Sequence, residues 1–267
     1  MARFIGLSGL PRSGSTLLSA LLAQNPAVHA EGNSAVCQLM WDLRQSCLGP
    51  AREQLKANRR ETTGDELIAQ IPWAYYRLDK YRLDKYIVDK CRAWTLPENV
   101  AMFRKYIDPA PKIIVLERPL IEILKSFQKI FRANHLSTEK SEELLLRLLE
   151  PDTDPLMRSW AGLRWAKANN AQNTFLFLTY HELVNQPEAT MAKIYQFFGP
   201  YAMTYAHDYQ TVLNKYPEDD EVYGLRGLHT VRSVVGLEMN LEVLSAEVLR
   251  KIYLVQDIYV KHHYTDL

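Results

Sequence analysis

Between Gly9 and Thr16 the chain reads Gly-Leu-Pro-Arg-Ser-Gly-Ser-Thr. In this order these residue types suit the holding of an anion. A short apolar run, Phe4-Ile5-Gly6-Leu7, precedes the loop, and a leucine-rich segment follows from Ser15. A strand, loop and helix so joined aim the N–H groups of the loop and first helical turn at one point. The helix dipole favours negative charge there as well. Gly14 lets the backbone approach the bound group closely. Arg12 adds a planar charged fork, and Ser13, Ser15 and Thr16 surround it with small polar side chains. A nucleoside-triphosphate cradle spaces its glycines in the same way but follows the second with Lys and then Ser or Thr. Here Ser15 stands in the lysine position and the cation has moved to Arg12. That exchange disfavours a γ-phosphate with magnesium and leaves a phosphate or sulfate group as the expected guest.

The elements that must position this loop follow from the hydrophobic pattern. Phe4-Ile5-Gly6-Leu7, Tyr86-Ile87-Val88, Ile113-Ile114-Val115-Leu116 and Phe175-Leu176-Phe177-Leu178 are short apolar runs that read as buried strands. Helical spacing follows the first at Leu17, Leu18, Leu21 and Leu22, ending at Asn25-Pro26. It follows the third at Leu120, Ile123, Leu124, Phe127 and Phe131, and the fourth at Met191, Ile194, Tyr195 and Phe198. A mostly helical section is expected from 35 to 85, with further helices over 97–106 and 158–170. The near-copies Tyr76–Lys80 and Tyr81–Lys85 are too short for a repeat unit and read as a solvated helix face. Residues 139–155 are acidic and proline-ended and read as a loop or lid; 206–236 reads as irregular; Ser245 can cap a last helix. Alternating strands and helices argue for a parallel sheet between helical layers. No linker-like stretch divides the chain, so 1–267 is expected to be one domain. In such a sheet, ligands bind beyond the carboxyl ends of the strands.

Pro11-Arg12-Ser13-Gly14-Ser15-Thr16-Leu17-Leu18 resembles the 5′-phosphosulfate loop of sulfotransferases that use 3′-phosphoadenosine 5′-phosphosulfate (PAPS). It is most similar to the group that includes tyrosylprotein and bacterial glycolipid sulfotransferases. The resemblance implies an α/β three-layer sandwich with a central parallel sheet, the P-loop NTPase-like sulfotransferase fold. It extends to Arg118 after the third apolar run and Ser126 eight residues on, where the family holds the 3′-phosphate. An Arg at a strand end also makes ordinary local ion pairs. Phe177 to Val184 resembles a further family signature, in which the tyrosine, here Tyr180, contacts adenine. Tyr223 to Arg232 matches less closely a basic loop that closes over the 3′-phosphate, which implies roles for Arg226 and Gly227 and a weaker one for Arg232.

The implied reaction is in-line transfer of a sulfuryl group from PAPS to an acceptor hydroxyl or amine, leaving adenosine 3′,5′-bisphosphate. Positioning and charge stabilisation do most of the work in such a transfer. Arg12 is expected to neutralise charge on the bridging and sulfuryl oxygens, and Ser15, Thr16 and the loop amides to hold the 5′-phosphate. No metal is expected. An acceptor hydroxyl needs a base. The slot that carries a His in cytosolic family members falls near Arg92, which cannot serve. Other members take a Glu from the segment after the first helix, which points to Glu31. His29 and Asp89 stand in reserve, with His135 behind them. Asp89-Lys90, at a strand end near the cofactor, also reads as a structural pair.

Composition limits the partners. Lys plus Arg is 32 and Asp plus Glu is 31, a net charge of +1, which excludes a bulk electrostatic grip on nucleic acid or an anionic membrane. The three cysteines, Cys37, Cys47 and Cys91, lack disulfide or zinc spacing. With no membrane span or signal segment in the pattern, the expectation is a cytoplasmic chain, or a soluble domain separated from its anchor. The acceptor, whether small molecule, glycan, lipid or peptide, and the oligomeric state are not legible. Two other functions fit parts of the pattern: a small-molecule kinase with a degenerate cradle, and a nucleotide-binding protein without catalysis.

Overall fold

The computed structural model describes residues 3–77, 86–151, 153–170, 172–199 and 204–264, with side chains up to residue 256. Its centre is a five-stranded parallel sheet in the order β2-β3-β1-β4-β5. The strands are β1 (Arg3–Gly9), β2 (Val28–Asn33), β3 (Tyr86–Lys90), β4 (Ile113–Glu117) and β5 (Phe175–Thr179). Every pairing is parallel, and β1 lies between β3 and β4. The helices are α1 (Ser15–Leu22), α2 (Val36–Leu48), α3 (Arg52–Ala57), α4 (Glu61–Tyr75), α5 (Pro97–Tyr106), α6 (Leu120–Ala133), α7 (Thr138–Leu148), α8 (Met157–Ala168), α9 (Tyr180–Asn185), α10 (Pro187–Phe198) and α11 (Ala246–Tyr264).

Strand alternation builds a core on each face of the sheet. Phe4, Ile87, Ile113 and Val115 pack with Met40 of α2, Phe103 of α5, Leu124 of α6 and Val248 of α11. Ile5, Leu7, Val88, Ile114 and Leu116 pack with Leu18 and Leu21 of α1 and Met191 and Ile194 of α10. The two apolar layers make the three-layer α/β sandwich, and all strands deliver their carboxyl ends to one edge.

Two segments differ from the sequence pattern. Residues 28–33 form an edge strand that the pattern does not mark. Only Val28 and Ala30 are apolar and inward-facing, and β2 pairs with β3 alone. A register shift between Ala30 and Asn33 sets Asn33 against Lys90. The acidic stretch after 138 is a helix, not a loop. The Ser137 hydroxyl caps α7 by accepting from the Lys140 N–H at 3.2 Å, and the helix buries Leu145 while its carboxylates stay outside. Ser245 caps α11 through the Val248 N–H, as the pattern indicates. Residues 78–85, which carry most of the tandem near-copy, lie outside the described residues.

Candidate active site

The β1–α1 loop is shaped by backbone conformation. Gly9 has φ 141°, and a Cβ there would lie 2.3 Å from the Leu116 carbonyl oxygen, so only glycine lets the loop leave β1 against β4. Gly14 has φ 94° and forms the N-cap of α1. Arg12 also lies in the left-handed region, at φ 61°. The Ser13 hydroxyl donates to the Leu10 carbonyl at 2.6 Å and is fully buried, so it shapes the turn and does not face a ligand. Arg12, Gly14, Ser15 and Thr16 line a cavity of about 1280 Å³, which opens beyond the sheet.

Cations converge on this loop from three strands. The Arg12 Nε donates to the Ser126 hydroxyl of α6 at 3.1 Å, and its Nη1 donates to the Leu228 carbonyl. Arg118, just past β4, donates from Nη1 to the Arg12 carbonyl at 3.0 Å. Its guanidinium carbon sits 4.0 Å from the Tyr180 ring centroid. Its Nε pairs with Glu122 at 3.0 Å, and Glu122 also meets His181 at 2.8 Å. Burial, helped by the neighbouring Arg118, lowers the Arg12 pKa to about 10. Arg12 therefore stays charged at neutral pH beside a second cation, and its direct partners are neutral oxygens.

The third cation is Lys90, at the end of β3. It is almost fully buried, and its Nζ donates to Thr16 Oγ1 at 3.1 Å and to Glu218 at 3.0 Å. Burial lowers the Lys90 pKa, against the pull of Glu218. Lys90 thus brings an ammonium to the cradle from a neighbouring strand, where the loop itself carries Ser15. Its chain neighbour Asp89 serves a different purpose. Asp89 is fully buried and accepts from Ser34 at 2.5 Å, Tyr76 at 2.7 Å and the Trp94 indole at 2.5 Å. Burial raises its pKa, and these three bonds tie β3 to the segments around it.

The irregular C-terminal stretch closes the cavity. Arg226, Gly227, His229 and Arg232 all line it. The Arg226 backbone is held by Asn134 of the α6 end, while its side chain is largely exposed beside Glu221. Gly227 has φ 83°. Arg232 donates to the Gly236 carbonyl and lies 4.0 Å from Glu238. His229 meets Asp220 through Nδ1 at 2.6 Å and Asn33 through Nε2 at 3.2 Å. Glu218 accepts from Asn33 Nδ2 at 2.9 Å as well as from Lys90.

The structure brings together Arg12, Gly14, Ser15, Thr16, Arg118, Ser126, Tyr180, Arg226 and Gly227 around one cavity. Glu31 is placed elsewhere. It lies on β2, its carboxylate is 3.5 Å from His29 Nε2, and it is not among the residues that line the cavity. His29 packs against the Tyr76 and Tyr216 rings, and His135 lies in the turn after α6; neither lines the cavity. Sequence reasoning assigned no role to Asn33, Glu218, Asp220 or His229, because each reaches the site through distant folding. The one local signal was Asp220 and His229 flanking a glycine-containing loop.

The sulfotransferase family model matches residues 5–201, most of the chain and all five strands. The chain belongs to the sulfotransferase family. Among solved structures it is similar to the sulfotransferase domain of the Synechococcus PCC 7002 olefin synthase. That match has a TM-score of 0.57 at 17% identity and covers 97% of this chain and 95% of that one. It is also similar to a sulfotransferase from Alicyclobacillus acidocaldarius, with a TM-score of 0.52 at 14% identity, covering 84% and 89%. These likenesses show the P-loop NTPase-like sulfotransferase fold. A search of curated proteins found no match. Among the described residues no helix is long and apolar enough to cross a membrane.

Proposed function

We propose that this sulfotransferase takes its sulfuryl group from PAPS and passes it to an acceptor hydroxyl or amine. One observation carries the reading: Arg12, Arg118 and Lys90 meet at a helix N-terminus, and the half-buried Arg12 guanidinium donates to the neutral oxygens of Ser126 and Leu228. Buried like charges are costly, and a bound polyanion offsets that cost. When bound, PAPS supplies the transferable sulfuryl group and a leaving phosphate.

The chain's own residues divide the work. The loop amides around Gly14, with Ser15 and Thr16, hold the 5′-phosphate at the α1 dipole. Arg12 and Lys90 stabilise charge on the bridging and sulfuryl oxygens. Arg118 and Ser126 hold the 3′-phosphate, with Arg226 and Gly227 closing over it. Tyr180 offers its ring to adenine. Ser13 contributes through the turn it fixes.

A thermal-shift comparison tests the donor. Adenosine 3′,5′-bisphosphate without metal is expected to raise Tm by roughly 5–10 °C at a hundredfold excess over Kd. ATP with magnesium should do little; the reverse pattern would support a kinase and overturn the reading. Radiolabelled PAPS against a panel of hydroxyl and amine acceptors then identifies the acceptor. Tight bisphosphate binding with no acceptor labelled would mark a binding protein.

A further inference from the structure

We infer that His229, oriented by Asp220, is the base that takes the proton of the acceptor. The inference rests on the sulfuryl-transfer reading and assigns a residue within that site. His229 lines the same cavity as Arg12, Ser15, Thr16 and Lys90. The residue before it, Leu228, gives its carbonyl to the Arg12 guanidinium. The imidazole is therefore tied to the loop that holds the donor.

The hydrogen bonds around the ring specify its tautomer. Asp220 grips His229 twice, accepting the backbone N–H at 3.0 Å and facing Nδ1 at 2.6 Å. An ionised carboxylate only accepts, so Nδ1 carries the proton. On the other side, Asn33 Nδ2 donates to Glu218 at 2.9 Å, which fixes the orientation of the amide. The remaining amide hydrogen faces Nε2 at 3.2 Å. Nε2 is then the acceptor, and its single in-plane lone pair is engaged by Asn33 in the free protein. Glu218 is itself held by Lys90, so one chain of bonds runs from Thr16 of the cradle through Lys90, Glu218 and Asn33 to His229. Gly32 makes room for it: a Cβ at residue 32 would lie 2.4 Å from Glu218 Cγ.

The charged groups facing the ring are Asp220, Glu218 and Lys90, with the Tyr223 ring 5.6 Å away. Burial keeps the imidazole pKa below its ordinary value, so the free base predominates at neutral pH. In the reaction an acceptor hydroxyl replaces Asn33 as the donor to Nε2. Its oxygen bonds to sulfur, the bond from sulfur to the leaving phosphate oxygen breaks, and the hydroxyl proton passes to Nε2. Asp220 and Glu218 stabilise the resulting imidazolium, which later releases its proton to water. Glu31, turned toward His29, has no part in this path. Asp220, Asn33 and Glu218 act as positioning residues.

Four measurements test the assignment, and those of turnover use water as the acceptor so that no acceptor need be known. Two-bond proton–nitrogen NMR on isotope-labelled histidine, with His229→Gln to identify the signal, is expected to show the Nδ1–H tautomer in the wild type. Sulfate release from radiolabelled PAPS is expected to fall about 100- to 1000-fold in His229→Gln. Adenosine 3′,5′-bisphosphate binding should stay within about twofold, since the donor contacts remain. Asp220→Asn should move the acid limb of the pH profile to lower pH, because the carboxylate raises the pKa of His229. An Nε2–H tautomer, near-wild-type sulfate release by His229→Gln, or loss of bisphosphate binding in that variant overturns the role. So does a wild type that binds the bisphosphate but releases no sulfate. A wild type that fails to bind the bisphosphate overturns the donor reading instead.

Discussion

The Tyr180 ring lies on Gly14: a Cβ at residue 14 would sit 2.8 Å from Tyr180 Cδ2. The same ring carries the Arg118 guanidinium at 4.0 Å from its centroid. One side chain at the start of α9 thus touches the turn after β1 and the cation after β4. Three strand ends are locked together where the donor is proposed to bind.

Gly14→Ala therefore meets two obstacles, the tyrosine ring and a φ of 94°. Left-handed strain of this kind costs about 1–3 kcal/mol. Denaturant unfolding should show a loss of that order, together with weaker adenosine 3′,5′-bisphosphate binding. An unchanged midpoint would mean that the contact does not constrain the loop.

Arg118→Ala should weaken the 3′-phosphate-bearing nucleotide by roughly 10- to 100-fold, the worth of a charge-assisted hydrogen bond. The analogue lacking that phosphate should lose far less. Calorimetry on both ligands decides; equal losses would assign Arg118 only to its local pair with Glu122 and the Arg12 carbonyl.

Lys90→Met leaves Glu218 mostly buried without its cation, and breaking such a pair costs about 3 kcal/mol. Combining it with Glu218→Gln should restore part of the stability, because the stranded charge is gone. A double variant no more stable than Lys90→Met would show that packing around the lysine, and not the charge, sets the cost.

Stability should decline on the acid side in two steps. The folded pKa of His229 lies below its unfolded value of about 6.5, so the unfolded chain takes up the proton first and stability falls as pH drops below that value. Glu218, whose folded pKa is depressed chiefly by Lys90 against the effect of burial, contributes stability above about pH 4.3 that is lost as pH falls through the folded pKa. Chemical denaturation across pH should show a smaller upper step in His229→Gln, the share of His207 remaining, and keep the lower one. An upper step of the same size in that variant would assign it to another group.

The cradle was legible in sequence because it is contiguous. Gly9, Arg12, Gly14 and Thr16 lie within eight residues between an apolar strand and a leucine-rich helix, so their spacing is read directly along the chain. The three central strands and the edge strand β5 were legible for a related reason: each carries an uninterrupted or nearly uninterrupted apolar run. The edge strand β2 was not. His29, Glu31 and Asn33 interrupt its apolar pattern, whereas β5 at the opposite edge keeps four apolar residues in a row. α7 was hidden because its five charged residues outnumber its four leucines, and only Ser141 and Leu145 are buried.

The sequence by itself determined the β1–α1 loop, the parallel α/β sheet and the family, since these rest on short-range spacing and strand hydrophobicity. Only the tertiary structure decided what surrounds the cradle. Lys90 reaches Thr16 across 74 residues, Glu218 reaches Lys90 across 128, and Asn33 reaches His229 across 196. No local propensity encodes such meetings, because they depend on strand order, on the register shift in β2 and on the path of an irregular C-terminal chain. The same packing turned Glu31 toward His29 and brought His229, held by Asp220, to the cavity wall.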